Sequence, residues 1–217
     1  LCERVVERSF GVLTLTRFAR TWLEDRFGAL AGPSGVHGAR RIGRLPSHCP
    51  PTPQLPVAAP AEARRQLGLP EDGFLVGSFG LVTRSKRLDR ALEGFRIFAR
   101  KEPRAHFVIV GGIQESYALA DLIGTLGIRD QVTVAGHQSM ERFLLYLLAS
   151  DVVINLRFPT TGEVSATLLR AMGMGKPVLV THSGPLLEFP DWSVVHIDLG
   201  PPETRQIAAS LELLARL

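Results

Sequence analysis

The sequence predicts an α/β fold, a doubly wound parallel six-stranded sheet of Rossmann-like type. Three observations predict it. From residue 74 onward, short and nearly all-apolar runs recur six times, amphipathic runs of helical period separate them, and glycine or proline punctuates the joins. Strands so uniformly apolar are covered on both faces, and strand–helix alternation is the connection that parallel neighbours require.

Residues 1–10 read as a helix, 11–15 (GVLTL) as a strand, and a second helix opens at Thr16 as N-cap and closes at Gly28. A lone buried parallel strand needs neighbours, so this βα unit reads as the tail of a preceding domain. Of the 33 residues in 28–60, 12 are Gly or Pro, with one short strand candidate at 41–45 (RIGRL), the composition of a linker or crossing segment. The expected division is 1–58, tail and linker, and 59–217, a ligand-binding domain. In the second part, strands are expected at 74–80, 106–111, 131–136, 151–156, 177–181 and 194–197. Helices are expected at 87–101, 114–126, 139–149, 163–174 and 203–216.

Composition narrows the function classes. Hydrophobic residues are 45% and charged residues 21% of the 217, ordinary for a folded chain. Apolar runs stop at about seven residues, far short of the roughly 18 a membrane-spanning helix needs. The formal charge of +4 comes from residues 1–50, with eight Arg against four acids, while the remainder balances 17 against 17. Those arginines are scattered without interleaved aromatics, so nucleic acid is not expected as a partner. Cys2 and Cys49 make no CxxC and stand near no His at metal spacing, which suits a reducing compartment and no structural zinc. The sequence opens at Leu1 without a charged n-region or apolar h-region, and so reads as lacking a signal peptide and as a piece of something longer.

In doubly wound folds ligands lie outside the carboxyl ends of the strands, so five loops are the places to search. After the first strand of the regular part, Arg84, Lys86 and Arg87 crowd the start of a helix. Cations there oppose the helix dipole unless an anion lies between them. The glycines Gly77, Gly80, Gly111 and Gly112 do not form GxGxxG. GMGKP at 173–177 has Pro177 where a P-loop needs Ser or Thr and precedes its strand, so it reads as a helix stop. In PTTGEVSATLLRAM (159–172), Thr160 and Glu163 fit a capping box, while Glu163, Thr167 and Arg170 would fall on one helical stripe. His137 and His182 follow strands and are candidate general bases. No paired carboxylates, Ser-His-Asp order or metal cluster is visible.

Taken in series, GSFGLVTRSKRLDRALEGF, HFVIVGG, VTVAGHQ and PTTGEVSATLLRAMGMGKPVLVTHSGP resemble the C-terminal, donor-binding domain of the retaining family 4 glycosyltransferases (glycosyltransferase group 1), which have two Rossmann-like domains. The likeness covers about residues 60–217. Residues 1–50 look like the last βα unit of the N-terminal, acceptor-binding domain. By this resemblance Gly80 and Lys86 match the family's diphosphate-binding loop, with Leu81 where an Arg stands in the family and Arg84 placed to reach the same phosphates. Gly162 takes the position of a sugar-binding Glu, with Glu163 one residue later, and the backbone at Glu163, Val164 and Ser165 would meet the diphosphate. Arg170 stands where the family's ribose-binding Glu does, able to contact a phosphate or pair with Glu163. Gly136, His137 and Gln138 resemble the loop whose backbone reads the base.

The resemblance implies hexosyl transfer from a nucleotide diphosphate sugar to an acceptor hydroxyl with retention and without a required metal, Lys86 and Glu163 being the catalytic pair. It implies no cofactor beyond the donor substrate. It also implies that the fragment is inactive without its N-terminal acceptor domain, and that the protein is cytoplasmic, with peripheral contact at the inner face of the membrane through that domain. The alternatives are a non-catalytic nucleotide-binding domain, or a nucleotide-sugar epimerase or phosphorylase on the same architecture.

Overall fold

Residues 11–27, 41–45, 59–160 and 162–217 are described by the computed structural model. The helix expected at 1–10, most of the linker, and both cysteines lie outside the described residues. The strand β1 (Gly11–Thr14) and the helix α1 (Arg17–Phe27) form where expected. β1 pairs in parallel with β2 (Arg41–Arg44), so the βα unit shares a two-stranded sheet with the candidate strand of the linker.

A second sheet organises the rest. It contains β3 (Leu75–Phe79), β4 (His106–Val110), β5 (Val132–Gly136), β6 (Val152–Asn155), β7 (Val178–Thr181) and β8 (Val195–Ile197). All pairings are parallel and the order is β5-β4-β3-β6-β7-β8. The six strands expected from the sequence are all present, each trimmed by a residue or two. Because strand side chains alternate between faces, the sheet feeds two separate apolar layers. Val76, Phe107, Ile109, Val152, Ile154 and Leu179 pack on one side, against α3 (Leu88–Ala99), α4 (Leu119–Leu126) and α7 (Glu203–Leu214). Leu75, Phe79, Val108, Val110, Val153 and Val178 pack on the other, against α2 (Pro60–Leu67), α5 (Met140–Ala149) and α6 (Ala166–Gly173).

The helix α2 is not in the sequence reading, since PAEARRQL offers too narrow an apolar stripe to show a helical period. Its order comes from tertiary bonding. Arg64 is 6% exposed and donates to the carbonyls of Ala149, Glu71 and Gly73 and to the Asp151 carboxylate at 2.7 Å. Asp151 also accepts from the Leu75 amide, so one guanidinium fixes the starts of β3 and β6 together. Two expected helix starts are later than the periodicity suggests. The turn before α4 takes up residues 114–118, and α6 begins at Ala166, not at 163.

The helices α3 and α7 cross at Gly94. A Cβ there would stand 2.6 Å from Ile207 Cγ2 and 3.0 Å from the Thr204 carbonyl oxygen. Alanine in a helix interior gains about 1 kcal/mol over glycine, whereas overpacking costs about 1–3 kcal/mol. Gly94→Ala is therefore expected to destabilise the chain despite the better propensity, seen as a lower urea midpoint with an unchanged slope. A higher midpoint would show that the two helices are free to move apart.

Candidate functional site

β3 leads outward through β4 and β5, and β6 leads outward the other way through β7 and β8, yet β3 and β6 are neighbours. Their carboxyl ends flank the topological switch point, where the flanking loops diverge and leave a crevice.

On the β3 side the chain turns at Gly80, whose φ of 90° is a left-handed value. A Cβ at this position would stand 2.7 Å from Lys86 Nζ and 3.8 Å from Thr167 Oγ1. Glycine thus allows both the turn and the approach of the lysine. A 3₁₀ turn, Arg84–Lys86, folds Lys86 back so that its ammonium donates to the Phe79 carbonyl. Burial, and after it the neighbouring Arg157 guanidinium, push the Lys86 pKa down to about 8.

On the β6 side, Asn155 ends the strand and is buried. Ser165 donates to Asn155 Oδ1 at 3.0 Å and accepts from the Leu168 amide at 3.3 Å, so it is the N-cap of α6. Arg157 anchors its backbone amide on Thr181 Oγ1 at 2.9 Å. Its guanidinium donates to Glu163 Oε1 at 3.1 Å and to Ser165 Oγ at 3.5 Å. Thr160 donates to the other oxygen of Glu163 at 3.0 Å. The Phe158 amide donates to the Ser85 carbonyl at 2.7 Å, tying the loop after β6 to the turn after β3. Asn155 Nδ2 and Arg157 Nε are buried without a partner. Buried donors of this kind are costly, and here both lie beside the crevice.

Of the residues expected from the sequence, Gly80, Lys86, Glu163 and Ser165 meet at this crevice, with Thr167 facing Gly80. Val164 is half-buried between Glu163 and Ser165. Gly162 is buried against α1. Arg84 is exposed on the 3₁₀ turn. Gly136 ends β5, two strands from β3, and His137 and Gln138 follow it. His137 is exposed, and the Gln138 side chain donates to the Ala135 carbonyl of β5 and accepts from Arg142 Nε of α5.

Several readings are corrected. Arg87 does not serve the anion site, because its fork is committed to Glu203, a carboxylate 1% exposed at the start of α7. Thr160 and Glu163 do bond, yet not as a capping box, because α6 starts three residues after Glu163 and Ser165 takes the cap. Glu163, Thr167 and Arg170 are accordingly not one helical stripe. Glu163 is held by Arg157 and Thr160, while Arg170 sits in the last turn of α6, where a cation suits the carbonyl end of the dipole. His182 is exposed and bonded to Asp198 at 2.8 Å, at the end of β7. Asp198 is held below the usual carboxylate range by Gln206 and then by His182.

The sequence reading misses Arg157. Its only signal is its place two residues beyond a strand end, and that becomes meaningful once β6 is known to lie beside β3. Among the described residues no group of three His, Cys, Asp or Glu side chains is placed to hold a metal ion, and no helix is long and apolar enough to cross a membrane.

Comparison with known proteins agrees with this geometry. The family described as "Glycosyl transferases group 1" matches residues 60–192. The D-inositol 3-phosphate glycosyltransferase of Stackebrandtia nassauensis is 36% identical over 138 residues, 57% of this chain and 30% of that enzyme. Sucrose-phosphate synthase from Thermosynechococcus elongatus superposes with a TM-score of 0.73 at 20% identity, over 99% of this chain and 52% of that one. Anabaena HepE, solved in complex with UDP and glucose, superposes with a TM-score of 0.73 at 17% identity, over 97% of this chain and 55% of that one. Structural likeness at such identities shows the fold, and the chain spans about half or less of each relative's length. The family match extends over more than half of the chain, on the doubly wound sheet that carries the Lys86 crevice, and so the chain belongs to the group 1 glycosyltransferases.

Proposed function

We propose that the chain is the nucleotide-sugar-binding half of a retaining, metal-independent hexosyltransferase, inactive in transfer without an acceptor domain. The observation that carries the reading is the convergence of Lys86 and Arg157 on the switch-point crevice. Two cations share it with one carboxylate, Glu163, and burial depresses the Lys86 pKa to about 8. An excess of buried positive charge is stabilised by an anion, and a diphosphate is the anion that a group 1 glycosyltransferase donor presents. The UDP bound in the HepE complexes supports the same reading.

In this reading the residues act on charge as it develops. As the glycosidic bond breaks, the leaving diphosphate gains negative charge, and preorganised donors in a low-dielectric crevice stabilise it most. Lys86 and Arg157 supply the charge. The N-terminus of α6 adds the amides of Ala166 and Thr167, which have no intrahelical acceptor. Glu163, held by Arg157 and Thr160, faces the sugar hydroxyls as an acceptor. Arg84 is an exposed cation that reaches the outer phosphate. The acceptor and any base for it belong to the other domain.

Lys86→Ala in the full-length protein is expected to lower turnover by about 100-fold, the scale of losing one charge-stabilising donor. Steady-state turnover equal to the unsubstituted enzyme would sink the assignment.

The depressed pKa sets a pH dependence with a definite sign. Below about pH 8 Lys86 is charged before binding, and UDP binding needs no proton there. Above it, Lys86 is neutral in the empty site and must take up a proton to meet the diphosphate, so affinity should fall by up to about tenfold per pH unit. Calorimetric titration with UDP in buffers of different ionisation heat reads this directly, and absence of proton uptake at pH 9 would contradict it.

Arg157→Met removes a cation from beside Lys86. It should weaken UDP binding at pH 7 and move the pH midpoint upward, because the neighbouring charge no longer opposes protonation. A midpoint that moves down, or an unchanged UDP affinity, would remove Arg157 from the site.

A further inference from the structure

The loop that carries Glu163 is irregular from Gly162 to the start of α6, so its order depends on side-chain contacts and not on a backbone ladder. Glu163 keeps 39% of its side chain exposed in its pair with Arg157. A second set of contacts reaches the same loop from α1. Thr16 is 4% exposed, and its hydroxyl both accepts from the Ala19 amide at 3.0 Å, capping α1, and donates to the Gly162 carbonyl at 3.1 Å. A hydroxyl can do both at once, and the proton it donates satisfies a carbonyl in a buried contact.

Beside this bond lies a notch that takes the ring of Phe18, in the first turn of α1. Gly162 has φ 94°, and a Cβ there would stand 2.9 Å from Ala19 Cβ and 3.5 Å from the Phe18 ring. Gly184, after β7, has φ 57°, and its Cβ would stand 3.8 Å from the same ring. The ring of Phe18 therefore sits against two backbone turns that carry no side chain. Glu188 completes the contact by accepting from the Phe18 amide at 2.9 Å, with Arg44 of β2 at 3.6 Å.

We infer that the first turn of α1 is a clamp on the loop after β6, and that Thr16 is a positioning residue, holding Glu163 beside Arg157 through the Gly162 carbonyl. α1 belongs to the segment that precedes the donor-binding half. Order in the Glu163 loop is thus coupled to where that segment sits, and movement of α1 away from Gly162 and Gly184 releases the loop. The functional meaning rests on reading this loop as the donor loop, while the clamp itself can be measured without a ligand.

Three substitutions separate capping from clamping. Thr16→Asp keeps an acceptor for the Ala19 amide but offers the Gly162 carbonyl no proton. Thr16→Ser keeps both functions. Phe18→Ala empties the notch and leaves the cap intact. Hydrogen exchange on the full chain should show the amides of residues 162–165 exchanging about tenfold faster in Thr16→Asp and in Phe18→Ala, the scale of one lost buried hydrogen bond. Thr16→Ser should exchange as the unsubstituted chain, with β3 and β6 protected equally in all. Unchanged loop exchange in both Thr16→Asp and Phe18→Ala overturns the clamp. UDP titration of the unsubstituted chain tests the donor reading separately, since failure to bind UDP removes that reading whatever the loop exchange shows.

Discussion

The absence of a side chain at residue 80 is the constraint from which the rest of the crevice follows. A Cβ there would stand 2.7 Å from the Lys86 ammonium. With only hydrogen present, the chain can leave β3 in a left-handed turn, run through one 3₁₀ turn and return a lysine to the carbonyl of Phe79. The ammonium then lies on the end of the strand at the switch point, away from bulk water, which depresses its pKa. A side chain at position 80 displaces the cation and is strained by the left-handed turn.

The same crevice shows how one fold handles two kinds of buried arginine. Arg64 donates to three carbonyls and to Asp151, and Arg87 holds Glu203 in a two-point ion pair. Both join secondary-structure elements that are distant in sequence. Arg157 differs. Its Nη atoms reach Glu163 and Ser165, but its Nε is buried without a partner, as is Asn155 Nδ2 beside it. An arginine with a buried, unpartnered donor beside a crevice is suited to a ligand.

The contact of α1 with Gly162 and Gly184 extends this picture beyond the six-stranded sheet. Both glycines follow strands at the carboxyl end, and their positive φ values bring bare backbone to the Phe18 ring. The loops after β6 and β7 are therefore part of the surface on which α1 rests. That arrangement links the order of the Glu163 loop to the position of α1.

The sequence by itself determined the sheet. Six apolar strands, their parallel sense and the helices between them were all legible, because burial on both faces leaves a periodic apolar signal that needs no partner to be read. Gly80 and Lys86 were legible too, since a strand-end glycine and a helix-start cation are local features. Only the tertiary structure decided the rest. α2 is ordered by Arg64 bonding to residues far along the chain. The start of α6 moved to Ala166 because Ser165 caps it across to Asn155. Arg87 and Arg157, alike as isolated letters, lie in different surroundings, one against Glu203 and the other between Glu163 and Lys86. Side-chain partners distant in sequence set these outcomes, and periodicity carries no information about which loops a sheet brings together.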